Sequence, residues 1–226
     1  MLPPIEPIHE FVEGIGYDAL IEFIHMIIAG AVAFTAYKVY RVTQEKSIKM
    51  LSMGFLMLCI AYAIIGIGNI TLYLQQTVFV QDTFFFIIHF GYLAAKTLGL
   101  LTLACIPLKI YDVKIYGILA ALVLLCTYAS TTSFAVYQII GLLFYVVILH
   151  AYVKSYLLHH NKNTLLIALG FTSLLLAAVD FLFLGEGFIF YILGHLLEFV
   201  GYGLILVALL LAYTFQHEKR KTPNHS

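Results

Sequence analysis

The chain has 226 residues, of which 62% are hydrophobic and 11% charged, and its mean hydropathy is +0.99. So apolar a composition excludes a soluble globular domain and indicates a polytopic protein of the cell membrane, in contact with the lipid bilayer. Lysine plus arginine and aspartate plus glutamate balance at 12 each, so the net charge favours no class of partner. Because almost no sequence lies outside the apolar stretches, we expect no nucleic-acid partner.

Residues 1–17 are predicted to form an extracytoplasmic interfacial segment. Apolar side chains recur there at helical spacing, at Ile8, Phe11, Val12 and Ile15. This spacing predicts a short amphipathic helix that lies on the membrane surface.

Seven apolar stretches follow, at 18–40, 48–73, 83–107, 115–130, 134–157, 164–184 and 188–215. Crossing a bilayer takes about 20 apolar residues in an α-helix. The sequence therefore predicts an all-α domain of seven transmembrane helices over residues 18–215, followed by a basic cytoplasmic tail, 216–226. Pro107 is predicted to end the third helix, and Gly185 to Gly187 to form the turn before the seventh.

Basic residues near the helix ends indicate the orientation. They flank the first, third and fifth loops and occupy the tail, at Lys38, Arg41, Lys46, Lys49, Lys109, Lys114, Lys154, Lys162, Lys219, Arg220 and Lys221. The N-terminus and the other three connections carry none. Because short loops rich in lysine and arginine stay in the cytoplasm, we predict an outside N-terminus and a cytoplasmic C-terminus.

A 24-residue stretch recurs 116 positions further along the chain, since Lys38–Ala61 aligns without a gap with Lys154–Ala177. Seven of the aligned positions are identical, among them Gly54 with Gly170. A shift of 106 positions aligns His89 with His195. These matches predict a 3+1+3 parallel repeat, in which helices 1–3 recur as helices 5–7 and helix 4 links them. Chance matching among apolar residues is the alternative.

Few ionisable side chains lie within the predicted spans, and four of them share one depth. His25, His89 and His195 each lie about 5–8 residues from the outer end of their helix, roughly 10 Å into the membrane. Asp180 lies at a comparable depth in helix 6. Ionisable groups inside a membrane are costly, so their clustering indicates a functional site.

Imidazole and carboxylate groups at one level suit a transition metal or a b-type haem. We predict His25, His89 and His195 as cofactor or metal ligands, with Asp180 as a further metal ligand. Glu22 and Glu198 each lie three residues from a histidine on the same helix face, and we predict that they orient the imidazoles. A proton relay, or a hydrogen-bond network without any ligand, would use the same residues.

Lys96 lies seven residues beyond His89, on the same helix face and about 10 Å deeper. A lysine at that depth requires a counter-ion, and the predicted partner is Asp180 or Glu198. A buried structural ion pair is favoured over a lysine that contacts a ligand or carries protons.

Two stretches resemble known membrane domains. KMLSMGFLMLCIAYAI, at 49–64, and LGHLLEFVGYGLILVALLLAY, at 193–213, resemble the seven-helix sensor domains that precede prokaryotic histidine kinases and cyclase-type enzymes. The resemblance implies a sensor-like module that passes its signal to a membrane or cytoplasmic signalling partner. The 3+1+3 arrangement is also similar to the SWEET-type sugar transporters, although their Pro-Gln signature is missing.

Three functions remain open. The favoured one is a sensor-like or partner-associated module that binds a ligand, metal or haem in a polar pocket of the outer leaflet. The second is a small-solute or proton-coupled transporter, against which the scarcity of polar residues below Lys96 argues. The third is a metal-dependent membrane hydrolase, although the chain has no HExxH or Ser-His arrangement that would indicate an enzyme.

Overall fold

The computed structural model describes residues 6–74, 81–130, 134–183 and 188–221, with side chains for 17–71, 84, 86–129, 136–183 and 189–215. These residues form seven α-helices and no strand, which confirms the all-α prediction for this part of the chain. The helices are α1 (Glu6–Thr43), α2 (Lys46–Leu74), α3 (Gln81–Cys105), α4 (Val113–Ser130), α5 (Phe134–His159), α6 (Lys162–Leu182) and α7 (Phe188–Lys221).

Six of the seven helices are long and apolar enough to cross a membrane by length and composition. The exception is α4, the predicted linker helix, which has 18 residues and is the shortest. This is the architecture of a multi-pass membrane protein, as the composition predicts.

The ends of the helices differ in detail from the hydropathy pattern. Helix α1 is continuous from Glu6, so it includes most of the segment predicted to lie on the membrane surface. Helix α3 ends at Cys105, two residues before Pro107, whose ring nitrogen has no hydrogen to donate. The turn predicted at Gly185 to Gly187 lies outside the described residues.

Six helices close into a ring in the order α1, α2, α3, α5, α6 and α7, in which each packs against the next and α7 packs against α1. Helix α4 lies outside this ring against α3 and α5. Within the described residues, α3 and α7 do not pack directly against each other. The side chains of α3 and α7 therefore meet only where they extend into the centre of the ring.

The α1–α2 and α5–α6 turns have the same backbone geometry and lie 116 positions apart. Gln44 and His160 both have positive φ angles, of 58° and 48°. The Gln44 N–H donates to the Tyr40 carbonyl at 2.7 Å, and the His160 N–H to the Tyr156 carbonyl at 2.7 Å. Both helices thus end with a residue in the left-handed conformation, and in each case the next helix begins two residues later.

Two glycine pairs bring helix backbones into close contact. A Cβ atom on Gly99 would lie 3.0 Å from the Gly54 carbonyl oxygen, and one on Gly201 would lie 2.9 Å from the Gly170 carbonyl oxygen. Only glycine permits so close an approach, which is a common contact between helices in membranes. The contact of α2 with α3 and that of α6 with α7 therefore share one geometry.

Candidate functional site

Glu198 on α7 is a buried carboxylate whose two oxygens face different partners. Its Oε1 accepts hydrogen bonds from Lys96 Nζ at 3.2 Å and from the Tyr62 hydroxyl at 3.1 Å. Its Oε2 lies 3.8 Å from His25 Nε2 and 3.8 Å from His195 Nδ1. This carboxylate thus links α7 to α1, α2 and α3 at the centre of the ring.

The imidazoles of His25 and His195 pack with their ring centroids 5.4 Å apart and their planes tilted by 35°. Both nitrogens of His25 and Nδ1 of His195 are buried without a hydrogen-bond partner. The His25 ring lies near the Ile21 and His195 backbone, but outside hydrogen-bond geometry. Buried polar atoms without partners cost free energy, so three of them in one place make this cluster a candidate binding site.

His25, His195 and Glu198 each offer one ligand atom, and these atoms all lie within 4.8 Å of one another. Two imidazoles and a carboxylate are ligands that Zn²⁺ accepts, with bond lengths of about 2.0–2.2 Å. Such bonds in a tetrahedral site separate the ligand atoms by about 3.3 Å. The two histidine–Glu198 separations of 3.8 Å are wider than this, and the third separation is bounded only at 4.8 Å, so the side chains would have to move closer together to hold one metal ion.

The structure brings together some of the residues predicted from sequence and not others. His25 and His195 meet because α1 packs against α7, whereas His89 and Asp180 are not members of the three-residue group. Glu198, which the sequence predicts to orient the imidazoles, lies with its Oε2 next to both His25 and His195. Lys96 forms its ion pair with Glu198.

Three tyrosines that the sequence analysis did not single out complete the cluster. The Tyr62 and Tyr202 hydroxyls lie 2.7 Å apart, and Lys96 Nζ donates to the Tyr92 hydroxyl at 3.1 Å. Tyr92 precedes Lys96 by four residues and Tyr202 follows Glu198 by four. That spacing on one helix face was the available signal.

Acidic groups outnumber basic groups around the cluster. Glu22 has a buried carboxylate oxygen without a hydrogen-bond partner and lies close enough to Glu198, Lys96 and Asp18 to interact with their charges. Asp18 accepts a hydrogen bond from the Tyr191 hydroxyl. Three carboxyl groups thus lie near the single ammonium of Lys96.

A cleft of about 410 Å³ lies between α1 and α7. Its lining is mostly apolar and includes both histidines; the lining residues are Tyr17, Asp18, Ile21, Ile24, His25, Tyr191, Ile192, His195, Leu196 and Phe199. A small molecule in this cleft would reach the histidines without crossing the ring.

The fold and the cluster define the protein as a membrane helical bundle with a buried histidine, glutamate and lysine site. Residues 19–95 are similar to a protein family described as a family of unknown function, DUF7521. This match covers about a third of the chain and includes His25 and Tyr62, but it ends just before Lys96. No curated protein and no solved structure matches the chain.

Proposed function

We propose that this protein is a sensor-like or partner-associated membrane module that binds a divalent transition metal through His25, His195 and Glu198. The observation that carries the proposal is the group of buried imidazole nitrogens that face Glu198 Oε2 and have no hydrogen-bond partner. A metal would satisfy one nitrogen of each histidine with bonds of the length and ligand type that zinc accepts.

The partners of Glu198 Oε1 support this proposal. Lys96 and Tyr62 hold that oxygen and leave Oε2 directed at the histidines. Outer hydrogen bonds of this kind orient the ligands of metal sites.

A metal ion fits this site better than the b-type haem that the sequence also allowed. A haem between two histidines occupies the space between their rings. The rings of His25 and His195 already pack against each other, 5.4 Å between centroids. We therefore propose a metal ion as the bound species.

The proposal includes seven membrane spans with the N-terminus outside, which puts the cluster in the outer leaflet of the cell membrane. It also includes the 3+1+3 repeat, with α4 as the seventh span and the linker. The repeat is supported by the matching left-handed turns at Gln44 and His160 and by the matching glycine contacts at Gly54 and Gly170. On this arrangement, metal binding outside would alter the packing that a partner protein senses at the cytoplasmic ends of the helices.

A metal-dependent membrane hydrolase is the second candidate, because one observation favours it. Catalytic zinc sites have three protein ligands and one open position for water or substrate. The cleft between α1 and α7 is lined in part by His25 and His195, so a substrate in it would lie next to two of the three proposed ligands. Zinc-dependent cleavage of an ester or amide lipid by the purified protein would favour the hydrolase over the sensor.

Metal analysis of the purified protein tests metal binding, which both proposed functions require. Protein saturated with Zn²⁺ and freed of unbound metal is expected to retain about one metal ion per chain. Addition of EDTA should release it. A protein that retains no Zn²⁺, Co²⁺ or other transition metal under these conditions would contradict the proposed function.

A further inference from the structure

We infer that the open position of the bound metal takes an oxygen of a neutral lipid that enters from the bilayer through the cleft between α1 and α7. This inference rests on the proposed metal site and names the class of ligand that reaches it. The ligand is an amphiphile with one long chain and a hydroxyl or carbonyl head.

The walls of the cleft lie on the outer surface of the bundle. Leu196 is 56% exposed and Phe199 50%, and Ile24 and Ile192 on the two facing helices are also exposed. In a helix that crosses the hydrocarbon core, such side chains contact acyl chains and not water. The cleft is therefore open sideways to lipid.

The depth of the histidines suits a head group that enters along this path. His25 lies eight residues from the start of its span at Tyr17, and His195 six residues from the start at Ile189. At 1.5 Å per residue the imidazoles lie about 9–12 Å from these starts of the spans. The cleft volume of about 410 Å³ is within the range of about 300–1,000 Å³ typical of small-molecule sites.

The charge of Asp18 favours a neutral head. Asp18 lies in the lining of the cleft, so an anionic head would meet its carboxylate. An uncharged oxygen also adds no further charge to the membrane interior. Hydroxyl and carbonyl oxygens are also ligands for the fourth position of zinc.

Tryptophan fluorescence tests this inference, because the chain has no tryptophan of its own. The reporter is Ile192→Trp in the cleft, with Leu196→Trp as a second reporter in case the first does not fold. The matched control is Leu193→Trp, since Leu193 is an exposed residue of the same helix that does not line the cleft. The probe is a long-chain alcohol brominated on its chain, added to zinc-loaded protein in phosphatidylcholine nanodiscs.

We expect the alcohol to quench the cleft reporter saturably, and at least fivefold more than the control at low mole fraction. Removal of zinc with EDTA should abolish the saturable component, and the brominated fatty acid should quench less than the alcohol. Equal, linear quenching at both positions would mean bulk lipid contact only and would overturn the inference. Saturable quenching without zinc, or a preference for the fatty acid, would overturn it as well.

The zinc content of the same samples separates the two proposals. Samples without bound zinc would contradict the proposed function itself. Samples with one zinc per chain and no saturable quenching would contradict only the lipid ligand.

Discussion

Lys96 Nζ lies 3.2 Å from Glu198 Oε1, and each of these residues precedes by three positions a glycine in close contact with the neighbouring helix. The glycine contacts align Gly99 with Gly201, an offset of 102 residues, and the same offset aligns Lys96 with Glu198. Since α3 and α7 do not pack directly within the described residues, only long side chains join them. Opposite charges at matching positions thus form a neutral link across the ring.

Replacement of Lys96 by methionine is expected to lower the free energy of unfolding by about 3–5 kcal/mol, because Glu198 remains buried without its counter-ion. The double variant Lys96→Met, Glu198→Met should recover much of that loss. Unfolding in detergent with EDTA present measures both effects without a contribution from metal. A Lys96→Met protein as stable as the parent would mean that water solvates the lysine.

Replacement of His25 or of His195 by alanine is expected to abolish stoichiometric zinc binding, because each supplies a ligand that no neighbouring residue replaces. His89→Ala is the matched control and should retain the metal, since His89 is outside the ligand group. Metal content per chain after gel filtration is the measurement. Loss of zinc in the His89 variant would favour the ligand set predicted from sequence.

The helices were predictable from sequence, whereas the composition of the site was only partly so. Long apolar stretches identify α5 and α6 to within about two residues, because charged and polar residues bound them. Which helices become neighbours depends on how their side chains pack around the ring. The hydropathy pattern carries no information about this packing. The sequence repeat alone groups His89 with His195. The glycine contacts give a different alignment of α3 with α7, offset by 102 residues, in which His89 aligns with Tyr191.

Replacement of Tyr62 by phenylalanine removes one hydroxyl that holds Glu198 Oε1 and contacts Tyr202. Its zinc affinity is expected to fall by about 10-fold, because outer hydrogen bonds orient metal ligands. Its stability should fall by only about 0.6–1.7 kcal/mol, the range for hydrogen bonds between membrane helices. The control is Tyr152→Phe. It removes a hydroxyl outside the site, keeps the ring that stacks on Phe171, and should leave zinc affinity unchanged. Equal affinities in the two variants would exclude a role for Tyr62 at the metal.

The orientation is testable with epitope tags at the two ends. A tag at the N-terminus should be accessible only from outside the cell, and a tag at the C-terminus only after permeabilisation, since seven crossings put the ends on opposite sides. Because α4 is the shortest helix, it is the span on which this result depends. Both tags on one side would mean that α4 does not cross.

Two glycines of α7 provide a matched test of the backbone contact with α6. A Cβ atom on Gly201 would lie 2.7 Å from Leu174 Cγ and 2.9 Å from the Gly170 carbonyl oxygen, whereas one on Gly203 would meet nothing within 4 Å. We therefore expect Gly201→Ala to lower the free energy of unfolding by about 1–3 kcal/mol, because the helices must separate to admit the methyl group. Gly203→Ala should leave stability unchanged or raise it by up to about 1 kcal/mol, since alanine favours helix. Denaturation of the two variants in the same detergent measures the difference. Equal stabilities would mean that α6 and α7 separate without a loss of folding free energy. The glycine contact would then not set the register that brings Lys96 to Glu198.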